Sequence, residues 1–223
     1  MNAPLNVPRR NDPRTELAAA GAHLAALGLS PGSSGNLSVR EDSRIYLTPT
    51  GTDLSRVDPE ALSVLDLSGA HLDGPKPSKE FPLHTAFYRR DASARAVVHL
   101  HSRHAAAVSC LPAWHERSAI PPLTPYFVMR VGQTPLLPYA APGDSGQADL
   151  MESLPFPFRA ALLQNHGPVV AGPSMSLAVE SAVELEEVSA LLLALGERAP
   201  RLLSAEEIAP LTQKYGSPWT VAD

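Results

Sequence analysis

The chain has 223 residues, of which 44% are apolar and 18% charged, a composition typical of one globular domain or two small ones. The formal net charge of −5 argues against a nucleic-acid partner, and no apolar run approaches the about 18 residues of a membrane span. The single cysteine, Cys110, excludes a disulfide within the chain, so we expect a cytoplasmic protein with no nucleic-acid or membrane partner.

Residues 1–14 open the chain with prolines and polar side chains and without the apolar stretch of a secretory signal. We predict a flexible arm there, followed by a single domain over residues 15–223. The first predicted helix begins at Thr15, is capped by Asp12 and ends at Gly28.

The rest of the domain mixes short strand and helix patterns. Strands are predicted over residues 36–40, 44–47, 62–67, 96–101, 136–139, 160–164 and 169–171. Further helices are predicted over residues 80–90, 102–110 and 176–195, and the proline-rich stretch 111–125 is predicted to be a loop. Because long βαβ units do not alternate regularly, the pattern indicates one α/β domain with a largely antiparallel or mixed sheet.

Two histidines, His99 and His101, stand two residues apart in a strand-type run. Side chains at this spacing face the same side of a strand, so one rigid element can present both imidazoles to one metal. The pair can also be read as surface histidines, but their apolar neighbours indicate a buried strand, where imidazoles need partners. His166, in a short break between two apolar stretches, is either a third ligand or a turn histidine in solvent.

Other titratable residues compete for the same role. His104 lies five residues after His99, and His84 lies four residues after Glu80. Glu80 itself opens a predicted helix, where a carboxylate gains from the helix dipole. The alternative for Glu80 is a carboxylate that ligates a metal or moves a proton. The residue pattern alone leaves these choices open.

Three loops rich in small and hydroxyl residues, at 33–36, 50–51 and 78–79, offer backbone N–H groups and hydroxyls. Together they could hold a phosphate, although each loop alone is a weak signal. The chain has no G-x-G-x-x-G or Walker-type run, which argues against nucleotide binding.

Taken together, these motifs make the chain resemble the class II aldolase/adducin family over residues 15–215. The motifs are Ser34-Gly35-Asn36-Leu37-Ser38, Leu47-Thr48-Pro49-Thr50-Gly51, Glu80 with His84, Ala96-Val97-Val98-His99-Leu100-His101, and Asn165-His166-Gly167. The resemblance implies an α/β fold, a three-layer α/β/α sandwich with a mostly antiparallel central sheet. It also implies a single catalytic domain over residues 15–223 and a homotetramer with active sites at the subunit interfaces.

The resemblance also implies the residues of the site. A divalent metal, usually Zn2+ and otherwise Mn2+ or Co2+, would be held by His99, His101 and His166, with the acid/base carboxylate Glu80 within reach. The implied phosphate pocket consists of Ser33, Asn36, Thr50, Gly51 and Ser78. His84 and His104 are not ligand positions in the family. Tyr126 matches a tyrosine that helps protonation, and its alternative is a core or interface aromatic.

A closer resemblance is to the branch of this family that decarboxylates 3-oxo-tetronate 4-phosphates in four-carbon sugar acid catabolism. It is carried by stretches such as Lys76-Pro77-Ser78-Lys79-Glu80 and 124–130. The implied reaction is loss of CO2 from a β-keto acid of the 3-dehydro-4-phospho-erythronate type, which leaves dihydroxyacetone phosphate. Metal would stabilise the enediolate, and Glu80 would handle the proton at C2. Lys79 replaces a small hydroxyl residue of the fuculose-phosphate enzymes and could meet a substrate anion.

Two alternatives compete with this interpretation. The first is a class II sugar-phosphate aldolase or epimerase similar to L-fuculose-phosphate aldolase, from which CO2 release would distinguish it. The second is a metal-free scaffold similar to the adducin head domains, which lack the catalytic histidine set.

Overall fold

The computed structural model of the chain describes residues 12–221. Within this range the helices are α1 (Pro13–Ala26), α2 (Phe81–Arg90), α3 (Arg103–Ser109), α4 (Pro125–Arg130), α5 (Gly146–Ser153), α6 (Met175–Leu195) and α7 (Ala205–Tyr215). The strands are β1 (Asn36–Glu41), β2 (Arg44–Leu47), β3 (Ser63–Asp66), β4 (His71–Asp73), β5 (Ala96–His99), β6 (Leu136–Leu137), β7 (Ala160–Leu163) and β8 (Gly167–Gly172). None of these helices has the length and apolar character of a membrane span.

The strands form one sheet in the order β4-β3-β2-β1-β5-β8-β7-β6. Every neighbouring pair is antiparallel except β6 and β7, which are parallel. The sheet is therefore mixed and mostly antiparallel, as predicted. β5 lies near its centre, and its last residue, His99, pairs with Asn36 on one side and Val169 on the other.

The side chains of β5 enter two separate apolar clusters. Ala96 and Val98 belong to one cluster, which includes residues of α1, α3 and α6, whereas Val97 belongs to another, which includes residues of α2 and α5. Successive strand residues point to opposite faces, so each face of the central sheet is covered by apolar side chains. This burial makes β5 a rigid support for the residues that follow its end.

The predicted elements agree with the structure in the centre of the chain and differ at several ends. Residues 1–11 of the predicted arm lie outside the described residues. Pro13 and Arg14, also predicted to belong to the arm, are part of α1, which is capped by the Asp12 carboxylate. The strand predicted over 96–101 ends at His99, because the chain turns there toward Ser102, the N-cap residue of α3.

Five elements were not predicted: β4, α4, α5, α7 and a 3-10 helix over Leu54–Arg56. β4 is exposed at the edge of the sheet and has no apolar alternation to reveal it. α7 carries Pro210 inside the helix, which reads as a breaker, although a capping box of Ser204 and Glu207 fixes its start.

Candidate active site

Four side chains converge beyond the end of β5. The ligand atoms of Glu80, His99, His101 and His166 all lie within 4.8 Å of one another. His101 Nε2 is 3.1 Å from His99 Nε2 and 2.9 Å from His166 Nε2. Glu80 Oε2 is 3.4 Å from His99 Nε2, and Glu80 Oε1 is 3.1 Å from His166 Nε2. The structure thus brings together the four residues that the family resemblance implies as metal ligands.

The fold positions these residues from three directions. His99 ends β5, and His101 follows in the link to α3. His166 lies in the turn from β7 to β8, and the antiparallel pairing of β5 with β8 brings this turn beside His99. Glu80 immediately precedes α2 and makes no side-chain cap hydrogen bond there, so its carboxylate is free to face the histidines. His101 therefore reaches the site from outside the strand, and not from the shared strand face that the sequence predicted.

The donor set fits a metal cation. His99 Nδ1 lies 2.9 Å from the carbonyl oxygen of Pro168, which can only accept, so Nδ1 donates there and Nε2 is the ring nitrogen that faces the cluster. Burial, followed by the charges of His99 and His166, lowers the pKa of His101 to about 4, which keeps this ring neutral near pH 7. Neutral imidazole nitrogens and a carboxylate aimed at one point are a ligand set that zinc prefers.

The turn that carries His166 is shaped by its neighbours. Asn165 has a φ of 58°, and a Cβ on Gly167 would lie only 2.4 Å from the carbonyl oxygen of Leu100. The buried Ser109 holds the turn from α3, because its Oγ accepts from the His166 N–H at 3.2 Å and its carbonyl accepts from the Asn165 N–H at 3.2 Å. The imidazole of His166 is thereby fixed through its backbone.

Glu80 is buried but ionised. Its Oε2 accepts a hydrogen bond of 2.7 Å from Asn36 Nδ2, and its backbone N–H donates to Ser78 Oγ at 3.3 Å. Burial alone would raise the pKa of this carboxyl group, but the nearby imidazoles of His166 and His99 and the amide of Asn36 outweigh it and hold the pKa well below its ordinary value. The site therefore contains a carboxylate that accepts hydrogen bonds and can ligate a cation.

The two competing histidines lie outside the cluster. His84 is fully buried under Asn36, with Nε2 2.5 Å from Asn36 Oδ1 and Nδ1 2.7 Å from Ser38 Oγ. His104 Nδ1 is 2.8 Å from Glu186 Oε1, and the Glu186 carboxylate also accepts from the backbone N–H groups of His104 and Ala105 in the first turn of α3. Both rings are thus engaged by other partners.

The three loops of the predicted phosphate pocket meet beside the cluster. A β-bridge between Pro49 and Pro77 sets the second loop beside the third, and Gly35 of the first loop packs directly against the backbone of His99. The residues differ in exposure: Ser33, Thr50 and Gly51 are exposed, whereas Asn36 and Ser78 are buried. The three loops therefore lie close together beside the cluster, and their role as a phosphate pocket stays a prediction.

Lys79 is exposed beside this pocket. Among residues 12–221 the structure gives its ammonium group no hydrogen bond or ion pair, and its charge is one of the influences that lower the pKa of His101. The cation therefore lies close enough to the cluster to act on its electrostatics.

Tyr126 lies far from the cluster of its own chain. It is 56% exposed on α4 and lines a cavity of about 480 Å³ together with Gly172 and Arg159. β8 runs from Gly167, beside the cluster, to Gly172, a span of roughly 17 Å at about 3.3 Å per residue. Tyr126 therefore faces the opposite end of the sheet.

Three residues that support the site, namely Ser38, Tyr88 and Ser109, received no role from the sequence, although Ser38 closes one of the family motifs. Ser38 Oγ is 2.7 Å from the Tyr88 hydroxyl as well as from His84, and all three side chains are buried between β1 and α2. The only sequence signal was the four-residue spacing of Glu80 and His84 on one helix, which places both on the same side. The stretch Ser109-Cys110-Leu111 contributes to the family resemblance, but the local pattern alone does not distinguish Ser109 from an ordinary helix-end serine.

Comparison with known proteins agrees with this geometry. A 3-oxo-tetronate 4-phosphate decarboxylase from Pectobacterium atrosepticum is 44% identical over 89% of this chain and 92% of its own. An L-fuculose phosphate aldolase from Escherichia coli K12 is 34% identical over 86% of this chain and 88% of its own.

Among solved structures, YgbL from Klebsiella pneumoniae superposes with a TM-score of 0.85 and 42% identity, over 89% of this chain and 97% of that one. The sequence pattern of the Class II Aldolase and Adducin N-terminal domain matches residues 15–193. This chain therefore belongs to the class II aldolase and adducin family.

Proposed function

We propose that this protein is a metal-dependent carboxy-lyase. It converts a 3-oxo-tetronate 4-phosphate, of the 3-dehydro-4-phospho-erythronate type, to dihydroxyacetone phosphate and CO2 in four-carbon sugar acid catabolism. The observation that carries the proposal is the convergence of one carboxylate and three imidazoles at the end of β5, beside the three loops of the predicted phosphate pocket. The 44% identity to relatives named for this reaction supports the substrate class.

The proposed metal ligands are Glu80, His99, His101 and His166, and the proposed ion is Zn2+, with Mn2+ and Co2+ as the alternatives that metal analysis must distinguish. When bound, the cation supplies Lewis acidity that stabilises negative charge on the substrate oxygens as CO2 leaves. The ring orientation of His99 and the neutral ring of His101 support this ligand set.

The chemistry assigned to the chain's own groups is proton handling and anion binding. The C1–C2 bond of the β-keto acid breaks, its electron pair stays on the C2–C3 enediolate, and C2 then takes up one proton. Glu80 is the group assigned to relay that proton from solvent to C2, since its carboxylate lies among the histidines and is held by Asn36. The phosphate is bound by the exposed hydroxyl and backbone groups of Ser33, Thr50 and Gly51. The buried side chains of Asn36 and Ser78 complete the phosphate site.

Lys79 is assigned to a substrate anion, either the departing carboxylate or the phosphate. Its exposed ammonium group has no hydrogen-bond or ion-pair partner among residues 12–221, and its charge contributes to the lowered pKa of His101. The alternative function is a sugar-phosphate aldolase or epimerase, favoured by the 34% identity to L-fuculose phosphate aldolase. An aldolase also needs the metal and Glu80 but has no carboxylate to lose.

The active form in this proposal is a cytoplasmic homotetramer with sites between subunits, built from three-layer α/β/α sandwiches. The two apolar clusters on the faces of the sheet support the layered description. Tyr126 supports the shared site, because an exposed tyrosine far from its own cluster can serve the cluster of a neighbouring chain. In that arrangement Tyr126 helps the protonation step.

The test is product analysis with metal-loaded protein and a panel of four-carbon 3-oxo acids, each supplied with and without a 4-phosphate. The proposal predicts CO2 together with dihydroxyacetone phosphate from a phosphorylated acid. It also predicts a much higher KM for the unphosphorylated acid. Cleavage or epimerisation of sugar phosphates without CO2 release would favour the aldolase or epimerase instead, and equal turnover of both acids would contradict the phosphate pocket.

A further inference from the structure

A line of buried hydrogen bonds runs from the Glu80 carboxylate into the core between β1 and α2. Its members are Glu80, Asn36, His84, Ser38 and Tyr88. The successive heavy-atom distances are 2.7 Å, 2.5 Å, 2.7 Å and 2.7 Å. His84 is fully buried, and the other members are between 0 and 6% exposed. Because each polar atom is shut off from water, each depends on its neighbour in the line.

The Asn36 amide sets the direction of the bonds in this line. Its Nδ2 donates to Glu80 Oε2, and its Oδ1 faces His84 Nε2. Asn36 Oδ1 only accepts, so His84 Nε2 must carry a hydrogen.

The second ring nitrogen then follows from the charge of the ring. Burial, followed by the charge of His99, lowers the pKa of His84 to about 3 despite the opposing carboxylate of Glu80. A neutral ring that donates from Nε2 has a lone pair on Nδ1, which accepts from the Ser38 hydroxyl. Ser38 in turn accepts from the Tyr88 hydroxyl.

We propose that His84 is a positioning residue, whose Nε2–H tautomer locks the Asn36 amide so that Asn36 donates to Glu80. Ser38 and Tyr88 hold that tautomer from behind. The inference rests on the role proposed above for Glu80. It explains why a fully buried histidine contacts Asn36, the residue that donates to Glu80. Without the His84 donor, the Asn36 amide can rotate and place its oxygen against the carboxylate, which would push Glu80 out of position.

The first test reads the tautomer in the metal-free protein. The measurement is long-range 1H–15N correlation of the histidine side chains in 15N-labelled protein, with His84 assigned by its loss in His84→Gln. The proposal predicts hydrogen on Nε2 and none on Nδ1 at neutral pH. Hydrogen on Nδ1 alone would overturn it. This measurement needs no substrate, so its result does not depend on whether the proposed decarboxylation is correct.

The second test uses two substitutions that bury amides of similar size. The amide nitrogen of His84→Gln can occupy the place of Nε2 and still donate to Asn36, whereas the shorter side chain of His84→Asn reaches only the place of Nδ1. We expect kcat of His84→Asn to fall about tenfold below that of His84→Gln, as one unpaired buried acceptor implies, with similar KM values. Equal kcat values would overturn the proposal. His23→Gln, on the exposed face of α1, is the matched control for the histidine-to-glutamine exchange.

Discussion

The turn that carries His166 offers a sharp test of the packing at the site, through the substitution Gly167→Ala. The added Cβ would lie 2.4 Å from the backbone oxygen of Leu100, about 1 Å less than the 3.4 Å of an ordinary contact. A shift of that size would stretch the 3.1 Å hydrogen bond from Leu100 N–H to the Pro168 carbonyl, which also accepts from His99 Nδ1. Overpacking of about 1–3 kcal/mol and one lost hydrogen bond of about 1 kcal/mol give a destabilisation of about 2–4 kcal/mol.

The assay is urea unfolding of the metal-free protein at neutral pH, together with zinc affinity. We expect the free energy of unfolding of Gly167→Ala to fall by about 2–4 kcal/mol and zinc to bind more weakly, because His166 is displaced with the turn. Gly146→Ala is the control, since its Cβ would meet only the Asp144 side chain, at 3.2 Å, and we expect a change within about 0.5 kcal/mol. An unchanged unfolding free energy in Gly167→Ala would refute the close approach of β8 to the end of β5.

Three further predictions concern charge, assembly and pH. Lys79→Met should lower kcat/KM by about tenfold or more, which is the effect of losing one charge-assisted hydrogen bond. Lys76→Met, in the same loop, is the control and should leave kcat/KM unchanged. Equal kcat/KM values for the two variants would contradict the assigned role of Lys79. Mixed oligomers of inactive Glu80→Gln and inactive Tyr126→Phe subunits should regain dihydroxyacetone phosphate formation, whereas no recovery would argue against a shared site. The native metal-free protein should lose about 1.6 kcal/mol more stability than His84→Gln between pH 6.5 and pH 5. The reason is that His84 takes up a proton in the unfolded chain but not in the folded chain, where its pKa is about 3. Parallel urea unfolding of the two proteins at each pH measures the difference. An equal change of unfolding free energy with pH in both proteins would contradict the prediction.

The sequence predicted the central strands and long helices because their apolar periodicity is strong. β1, β2 and β7 were predicted within a residue of their observed ends. Elements such as α5 were not predicted, because Gly146 and the polar residues after it show no apolar periodicity. Local pattern cannot show such short elements, which form only when the rest of the fold supports them.

The site was predictable in part from the residues and in part only from the family resemblance. The spacing of His99 and His101 indicated a metal, but the strand ends between them, so the predicted geometry was wrong in detail. His166 joins them only because β8 pairs with β5, a long-range pairing that local pattern does not encode. The buried line behind Asn36 was invisible for the same reason, since Ser38 lies 46 residues from His84 along the chain.

The most direct measurement of the central claim is the fate of carbon 1 of the substrate. Metal-loaded protein is incubated with a 3-oxo-tetronate 4-phosphate labelled with 13C at C1, and the products are followed by 13C NMR and mass spectrometry. We predict that labelled CO2 and unlabelled dihydroxyacetone phosphate form in equal amounts, and that the protein freed of metal forms neither above the uncatalysed rate. Label that stays in a carboxylate product, whether a cleavage fragment or an isomer, would contradict the account.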